Sequence, residues 1–377
     1  MSGTIDLKAF RRDLHAHPEI SGEEKQTAKR VLTVLHELKP DELLTEVGGT
    51  GILATFGTDE TGPQVMVRCE LDALPIQEVN DFAHRSTSTG VSHKCGHDGH
   101  MAILTGLAAT LSSDRPTKGR VHLLYQPAEE NGAGAAAVLK DPRMKDRRFD
   151  LVLALHNLPG YPLGGAVVRK GAFTASVNSM VIAFEGRTSH AAEPENGTNP
   201  ALAVAELLTG ALALQHNVPT EDGLRVVTVV HVNLGSEDYG ISAGNAEVHL
   251  TVRCWTDVEL EKLQQDVEDL SRKLAKKHDL GVKIRYCFTF KANQNDVAAA
   301  ELVADAVRST GHKLISRDHP FKWGEDFGLF TAKYKGCMFG LGSGEEMPAL
   351  HNPDYDFPDE LIPHGVELFN TAVRSFL

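Results

Sequence analysis

The segment from Ser92 to His100 reads SHKCGHDGH and is followed by an apolar helical run at 101–108. Cys95 and His97 offer a thiolate and an imidazole, two ligand types that zinc and other late first-row divalent metals accept. Two ligands do not complete such a site, and the segment also fits a polar turn that opens a buried helix. It therefore predicts a partial metal site whose other ligands lie elsewhere in the chain.

The composition is typical of a soluble globular protein with two domains. The chain has 377 residues, of which 41% are hydrophobic and 24% charged. Its net charge of −13 argues against a nucleic-acid or membrane partner. Five cysteines, odd in number and widely spaced, favour a reducing compartment over a disulfide framework. Met1–Phe10 lacks the apolar core of a signal peptide, so we predict a cytoplasmic protein.

Strands alternate with helices in the first part of the chain. A helix is predicted at 99–111, and apolar strands at 51–56, 65–71, 121–126 and 151–155. A capping-box spacing at Ser21-Gly22-Glu23-Glu24 predicts the start of another helix. This alternation predicts an α/β sheet covered by helices on both faces, with functional sites at the carboxyl ends of its strands.

The pattern changes near Thr174. Strands are longer there, at 179–184, 225–233 and 246–255, and helices are predicted at 199–216 and 258–277. Apolar and polar residues alternate in the strand at 246–255, so one face of this sheet is wet or faces a ligand. After Asn293 the first pattern resumes. We therefore predict an α+β domain at 175–292, inserted into a discontinuous catalytic domain at 1–174 and 293–377.

Two adjacent carboxylates, Glu129 and Glu130, follow the strand predicted at 121–126 and precede a glycine-rich turn. Adjacent carboxylates are costly unless a cation neutralises them or one keeps a proton. The pair also fits a solvated turn. Its position after a buried strand favours a metal site, with one glutamate as a ligand and the other near a metal-bound water.

Two histidines add to the set of ligand-type residues. His156 ends the apolar strand at 151–155, and His351 lies in a loop after a glycine-rich turn. Taken singly, the first also fits a core histidine and the second a surface histidine. Together with the thiolate, His97 and one glutamate they make five protein ligands, which favours two metal ions that share a ligand.

Short motifs occur in a fixed order along nearly the whole chain: RRDLHAHPE (11–19), LDALP (71–75), CGHDGH (95–100), QPAEE (126–130), LHN (155–157), GRTSHAA (186–192), EDF (325–327) and LHNP (350–353). In this order they resemble the amidohydrolase/aminoacylase branch of the M20 metallopeptidase family. That branch includes hippurate hydrolase-like enzymes and plant auxin-amino-acid conjugate hydrolases. Because the motifs are many and separate, the resemblance is specific.

The resemblance implies a zinc-peptidase-like catalytic domain, whose mixed sheet is flanked by helices, and a ferredoxin-like lid or dimerisation domain at 175–292. It also implies two divalent metal ions, for which zinc, manganese, cobalt and nickel are the candidates. The ligands implied are Cys95, His97, Glu130, His156 and His351.

Three further roles follow from the resemblance. Glu129 is expected to be the general base. His190 is expected to polarise the scissile carbonyl, often from a partner subunit, so a homodimer through the inserted domain is also expected. Arg253 is expected to hold a substrate carboxylate, because a guanidinium binds carboxylates bidentately. The alternating strand pattern fits a solvated arginine equally well.

Two positions depart from the family pattern. Glu70 stands where many relatives have aspartate, which is expected to alter hydrogen bonding around the metal ligands and not the chemistry. Gly240-Ile241-Ser242-Ala243 replaces an Asn-Val-Ile-Pro stretch, so an asparagine that helps hold the substrate is missing. This second departure predicts that the substrate differs from those of the best-known members.

The function expected from these residues is hydrolysis of the amide bond in N-acyl amino acids. A dipeptidase or carboxypeptidase on the same scaffold is the first alternative. A catalytically silent metal- or ligand-binding module is the second, although Glu129 and His190 have no use in metal storage. The acyl group, the amino acid, the native metal and the oligomeric state stay open.

Overall fold

The computed structural model describes residues 5–220 and 223–377, with the side chains of 217–220 left aside. Up to Phe173 its helices are α1 (Leu7–Ala16), α2 (Lys25–Leu38), α3 (His97–Ser113), α4 (Gly134–Lys140) and α5 (Pro142–Lys145). The strands of this part are β1 (Glu42–Val47), β2 (Gly51–Phe56), β3 (Gln64–Glu70), β4 (Arg120–Gln126), β5 (Leu151–Pro159), β6 (Ala166–Val167) and β7 (Gly171–Ala172).

The middle of the chain contains strands β8 (Ser176–Glu185), β9 (Ser189–His190), β10 (His216–Thr220), β11 (Gly223–Leu234), β12 (Ile241–Ser242), β13 (Asn245–Cys254) and β14 (Gly281–Phe290). Its helices are α6 (Ala201–Ala213) and α7 (Asp257–Lys277). After Asn293 follow β15 (Gln294–Asn295), α8 (Val297–Ser309), β16 (Leu314–Ile315), α9 (Gly328–Thr331), β17 (Gly336–Gly344) and α10 (Leu361–Phe376).

The described residues form two compact units. The first contains the residues up to Phe173, Asn293–Asp318 and Glu325–Leu377, and the second contains Thr174–Ala292 and His319–Gly324. Their identification as a catalytic domain and a lid stays a prediction. None of the helices in the described part of the chain is long and apolar enough to cross a lipid bilayer.

The first unit is built on an eight-stranded mixed sheet with the strand order β1-β2-β4-β3-β5-β17-β6-β16. Its four neighbouring strands β4, β3, β5 and β17 run parallel, so their carboxyl ends lie at one edge. β2 and β3 are buried along their whole length, as near-continuous apolar runs in a covered sheet require. The predicted α/β class with a mixed sheet is confirmed.

An apolar core holds the helices to this sheet. Buried side chains of α1, α2, α3, α8 and α10 join those of the central strands in one cluster. Helix α3 buries residues on all sides, including Met101, Ile103, Leu104 and Leu107. The loop before α3, which carries Cys95, is therefore anchored to a rigid element.

The second unit has a five-stranded antiparallel sheet with the order β10-β11-β13-β8-β14. The apolar face of this sheet shares a buried cluster with α6 and α7. A separate pair, β9 with β12, places Ile241 opposite His190. Strand β14 was not predicted, although Val282, Ile284 and Tyr286 alternate with other residues in the way a half-exposed strand requires.

Two local predictions need correction. The strand predicted at 151–155 continues to Pro159, because β17 pairs with it in register as far as that residue, so His156 lies inside the strand and does not end it. The predicted capping box is wrong: α2 begins at Lys25, and the Glu24 side chain does not cap it. Ser21 and Glu24 instead bond to residues outside the helix, at Asp72 and Ala128.

Candidate metal centre

The five ligand-type residues predicted for the metals all lie in the first unit, at the carboxyl edge of its parallel strands. Cys95 lies in the loop before α3, and His97 is the first residue of that helix. Glu130 follows β4, His156 lies in β5, and His351 lies in the loop after β17. Strands distant in sequence thus bring these side chains to one edge.

Their ligand atoms form two groups of three, each within 4.8 Å. One group is Cys95, His97 and His156, and the other is Cys95, Glu130 and His351. In the first, Cys95 Sγ lies 3.5 Å from His156 Nε2. The two groups share Cys95, which makes it the candidate for the ligand that two ions share.

Hydrogen bonds orient both buried histidines. Nδ1 of His97 lies 2.8 Å from the backbone oxygen of Asp72, and Nδ1 of His156 lies 2.9 Å from that of Asn157. Although burial lowers the pKa of His97, its hydrogen bond to Asp72 and the nearby carboxylates raise it to about 10, so a metal would displace a proton from Nε2. A backbone carbonyl can only accept, so each ring in its neutral form carries the proton on Nδ1. This tautomer is the one a metal ligand needs.

Buried atoms without partners show that a cation fits between these groups. Among the described residues, His97 Nε2 and Glu130 Oε1 are buried and have no hydrogen-bond partner. They lie 3.8 Å apart, and Glu129 Oε2 lies 3.9 Å from the same histidine nitrogen. Leaving a buried polar atom unsatisfied costs about 1–3 kcal/mol. A divalent cation would satisfy both atoms.

The pKa shifts of the buried side chains at this site also favour binding of a cation. Burial raises the pKa of the Cys95 thiol, and the charges of Glu130 and Glu129 raise it further. Burial likewise raises the pKa of Glu129, as do the nearby carboxylates Glu325 and Glu130. Burial lowers the pKa of His156 to about 3, which keeps it neutral. A bound cation would offset the negative charge that these groups carry as ligands.

Glycine at position 96 is required by a close approach. A Cβ built there would lie 2.7 Å from the side-chain amide of Asn157. Gly96 also has φ 97°, in the left-handed region that residues with a side chain rarely adopt. The loop can therefore turn between Cys95 and His97 only because this residue is glycine.

A second layer of buried polar residues supports the ligands. His100 Nδ1 lies 2.7 Å from Glu70 Oε2, and His100 Nε2 lies 2.6 Å from Asn157 Oδ1. Asn157 follows His156, so this chain of hydrogen bonds joins α3 to β3 and β5. Glu70, the residue that departs from the family pattern, hydrogen-bonds His100 and is not one of the five candidate ligands. Asp72 has a similar role, since its Oδ2 accepts from Glu130 N at 2.9 Å.

Sequence reasoning missed Arg68, a buried counter-charge for the carboxylates beneath the site. Arg68 is fully buried and pairs with Glu70, with Glu325 at 2.8 Å and with Asp326 at 2.6 Å. Gln126 joins it through a 3.0 Å hydrogen bond. An arginine inside the apolar run VMVRC was the available signal, because a buried charge needs partners.

The residues predicted for substrate contact belong to the second unit, and their roles stay predictions. His190 lies on β9 and is exposed, with Nδ1 accepting from Ala192 N at 3.0 Å. Arg253 lies on β13, and its Nη1 donates to the backbone oxygen of Lys322 at 2.9 Å. Burial lowers the pKa of Arg253. Ile241, in the stretch that replaces the missing asparagine, pairs with His190.

Known proteins resemble this chain over nearly its whole length. N-acetylcysteine deacetylase of Bacillus subtilis (strain 168) is 28% identical over 362 residues, which cover 96% of this chain and 94% of the relative. Hippurate hydrolase of Campylobacter jejuni subsp. jejuni is 28% identical over 375 residues, covering 99% and 97%. The solved structure of a Bacillus subtilis protein, described as a dinuclear metal binding peptidase from the M20 family, matches with a TM-score of 0.82 and 27% identity, covering 98% and 97%.

The family model for peptidase family M20/M25/M40 matches residues 66–375. This range includes every candidate metal ligand, the whole second unit and the first unit from Met66 onward, except its last two residues. The resemblance inferred from the sequence motifs is confirmed, and the chain belongs to peptidase family M20/M25/M40.

Proposed function

We propose that this protein is a metal-dependent amidohydrolase that cleaves the amide bond of N-acyl amino acids. One observation carries the proposal: two groups of ligand atoms share Cys95 and lie beside the buried carboxylate of Glu129. In this proposal two divalent ions are held by Cys95, His97, Glu130, His156 and His351.

The relatives support the substrate class. One is named for removing an acetyl group from N-acetylcysteine, and another for hydrolysing hippurate, which is an N-acyl amino acid. The solved relative described as a dinuclear metal binding peptidase supports two ions. The donor set of one thiolate, one carboxylate and three imidazoles suits zinc, manganese, cobalt or nickel.

In the proposed mechanism Glu129 is the general base and then the general acid. Divalent ions held by these residues would supply Lewis acidity, which polarises an acyl carbonyl and lowers the pKa of water toward about 7. Glu129 takes a proton from the water, and the oxygen of that water attacks the acyl carbon. It returns the proton to the leaving nitrogen as the C–N bond breaks, which releases the free amino acid and the carboxylic acid.

His190 and Arg253 have the chemistry for the other substrate contacts. The Nδ1 atom of His190 accepts a backbone hydrogen bond, so Nε2 carries the proton and is a donor. Such a donor stabilises negative charge that develops on the carbonyl oxygen. The Arg253 guanidinium would hold the carboxylate of the amino acid, because the two groups match bidentately.

A substrate panel tests the proposed activity. Metal-loaded protein is incubated with hippurate, several N-acetyl amino acids and unblocked dipeptides, and the released amino acid is quantified. We expect turnover of N-acyl amino acids, with kcat/KM at least about tenfold above that for dipeptides, since a dipeptide adds a charged amine. Turnover of dipeptides alone indicates the peptidase alternative. Bound metal without turnover of any substrate indicates the non-catalytic module.

Replacing Cys95 by Ala tests the shared ligand. The C95A variant is expected to fold but to hold fewer than two metal ions per chain, because both ligand groups lose the same member. Metal content is measured by mass spectrometry after dialysis, with folding checked by circular dichroism. The control is Cys287→Ala, in β14 of the second unit, which should keep the wild-type metal content. Full metal occupancy in C95A would show that Cys95 is not a bridge.

We also propose a homodimer formed through the second unit. In the described part of the chain, most large apolar side chains that are exposed belong to this unit, among them Leu202, Leu212, Val230, Tyr239 and Ile241. Exposed apolar side chains that are concentrated in one unit favour association through that unit. A molar mass in solution equal to that of one chain would contradict the proposal.

A cytoplasmic location is proposed on the basis of the cysteines. All five are free, and four of them are buried. Thiols that persist without disulfides suit a reducing compartment. Fractionation of the native host cells tests this, and recovery of the protein outside the cytoplasm would contradict it.

A further inference from the structure

The residue before the proposed general base has a strained backbone. Ala128 has φ 50°, in the left-handed region, although it carries a Cβ. Residues with a side chain rarely adopt this conformation, and it persists only where the surroundings hold it in place. Ala128 immediately precedes Glu129, so its backbone angles set the direction in which the Glu129 side chain leaves the loop.

Both peptide groups of Ala128 are held by hydrogen bonds. Its N–H donates to Glu24 Oε1 at 2.9 Å, and its carbonyl oxygen accepts from Gly134 N at 2.9 Å. The second bond lies within the glycine-rich turn itself. The first joins Ala128 to Glu24, which lies more than a hundred positions away in sequence. Glu24 is therefore the restraint on this backbone that comes from outside the turn.

Glu24 is a fully buried carboxylate that joins three separate segments. Its Oε1 also accepts from Gly22 N at 2.6 Å, and its Oε2 accepts from Thr50 Oγ1 at 2.7 Å. Within the described residues no lysine, arginine or histidine forms an ion pair with it, so all its known partners are neutral donors. A carboxylate accepts hydrogen bonds more strongly than a neutral oxygen does. Glu24 thus has the properties of a strong, directional restraint.

The neighbouring glutamate is held independently of Glu24. The Glu130 N–H donates to Asp72 Oδ2 at 2.9 Å, and Ser21 Oγ donates to the same oxygen at 2.7 Å. The proposed metal ligand therefore has its own restraint. Weakening the hydrogen bond that Ala128 N–H donates to Glu24 should therefore disturb Glu129 and leave Glu130 in place.

We propose that Glu24 is a positioning residue for Glu129: it holds Ala128 in the left-handed conformation that aims the general base. This inference rests on the proposed function, since it assigns Glu24 a role in the same reaction. It requires the hydrogen-bond acceptor at Glu24 Oε1 and does not require the negative charge. A residue that keeps the acceptor in place should therefore preserve activity even when the charge is lost.

Two substitutions separate the acceptor from the charge. Glu24→Gln removes the charge, but its carbonyl oxygen can accept from Gly22 and Ala128 while its amide donates to Thr50 Oγ1. Glu24→Asp keeps the charge but withdraws both oxygens by one methylene. We expect E24Q to keep kcat within about threefold of the wild type, because the geometry is retained. We expect E24D to lower kcat by about 10- to 100-fold, because the base is misplaced.

A third substitution tests the role of the strained backbone. Glycine adopts positive φ without penalty, so Ala128→Gly should need less restraint from Glu24. The loss of kcat caused by E24D should thus be at least about threefold smaller in an A128G background than with Ala128 present. Metal content, measured in parallel on every variant, should stay at the wild-type value, because Glu130 is held by Asp72.

The outcomes distinguish this inference from the proposed function. If the wild type hydrolyses N-acyl amino acids and E24D matches its kcat, the positioning role is overturned. It is also overturned if E24Q is impaired more than E24D, if A128G gives no relief, or if E24D loses metal. Absence of N-acyl turnover by the metal-loaded wild type contradicts the proposed function itself. The expected order of kcat, with E24Q above E24D at equal metal content, supports the positioning role.

Discussion

Replacing Glu129 by Gln is expected to lower kcat for an N-acyl amino acid by about 100- to 10,000-fold, the range typical of losing a general base. Glutamine has nearly the same shape but cannot take a proton from water. Glu129 is buried and its Oε2 lies 3.9 Å from His97 Nε2, next to the candidate ligands but not among the five assigned. The variant should therefore keep its metal while losing activity.

The measurement combines steady-state kinetics with metal analysis of the same preparation. Two comparisons make the result specific. Glu130→Gln should lose metal as well as activity, because Glu130 is a proposed ligand. Glu345→Gln, at an exposed position, should behave like the wild type. Retained turnover in E129Q would exclude the role assigned to Glu129, and loss of metal in E129Q would make it a ligand.

The largest expected effect on stability comes from Arg68. Replacing it by Met should destabilise the first unit by about 3–5 kcal/mol, because it leaves buried carboxylates without their counter-charge. Glu70, Glu325 and Asp326 are each at most 1% exposed, and all three pair with this arginine. Methionine fills much of the same volume, so the loss reflects charge more than a cavity.

The destabilisation should depend on pH in a defined direction. Burial raises the pKa of Asp326 to about 7 although Arg68 lowers it, so removing Arg68 would raise this pKa further above its unfolded value. A group whose folded pKa is raised stabilises the protein at low pH and loses that contribution as pH rises through the folded pKa. The gap in melting temperature between wild type and R68M should therefore widen from pH 5 to pH 8.

Thermal unfolding of the metal-free proteins, followed by calorimetry at both pH values, measures this gap without a contribution from metal binding. Arg148→Met is the matched control, because Arg148 is exposed and pairs with Asp150 at the surface. That substitution should change the melting temperature little at either pH. An R68M variant as stable as the wild type at pH 8 would show that the carboxylates find other partners or take protons at little cost.

Much of the site could be predicted from residue types and their order. Cys95, His97, Glu130 and His156 each stand next to a predicted strand or helix, and ligand chemistry is written directly in the side chain. Strand β5 was recognised because its apolar run requires burial on both faces. These features depend on local sequence, so they can be recognised without a structure.

Other features were invisible because they depend on contacts between distant segments. Glu24 was assigned to a capping box from its spacing, but tertiary structure places it against Ala128, a hundred residues later. Local spacing cannot reveal that the same carboxylate accepts a hydrogen bond from a distant segment. Two of the three carboxylates that pair with Arg68 lie more than 250 residues away, so local sequence could not reveal them.

The family, the α/β class and the identity of the candidate ligands follow from motifs, periodicity and side-chain chemistry, which the chain displays before it folds. Tertiary structure decided which atoms meet: that Cys95 belongs to both ligand groups, that backbone carbonyls select the tautomers of His97 and His156, and that a buried glutamate restrains Ala128. The physical reason is that ligand type is a property of one residue. Distance, burial and hydrogen-bond direction arise only when the parallel strands bring their carboxyl ends to one edge.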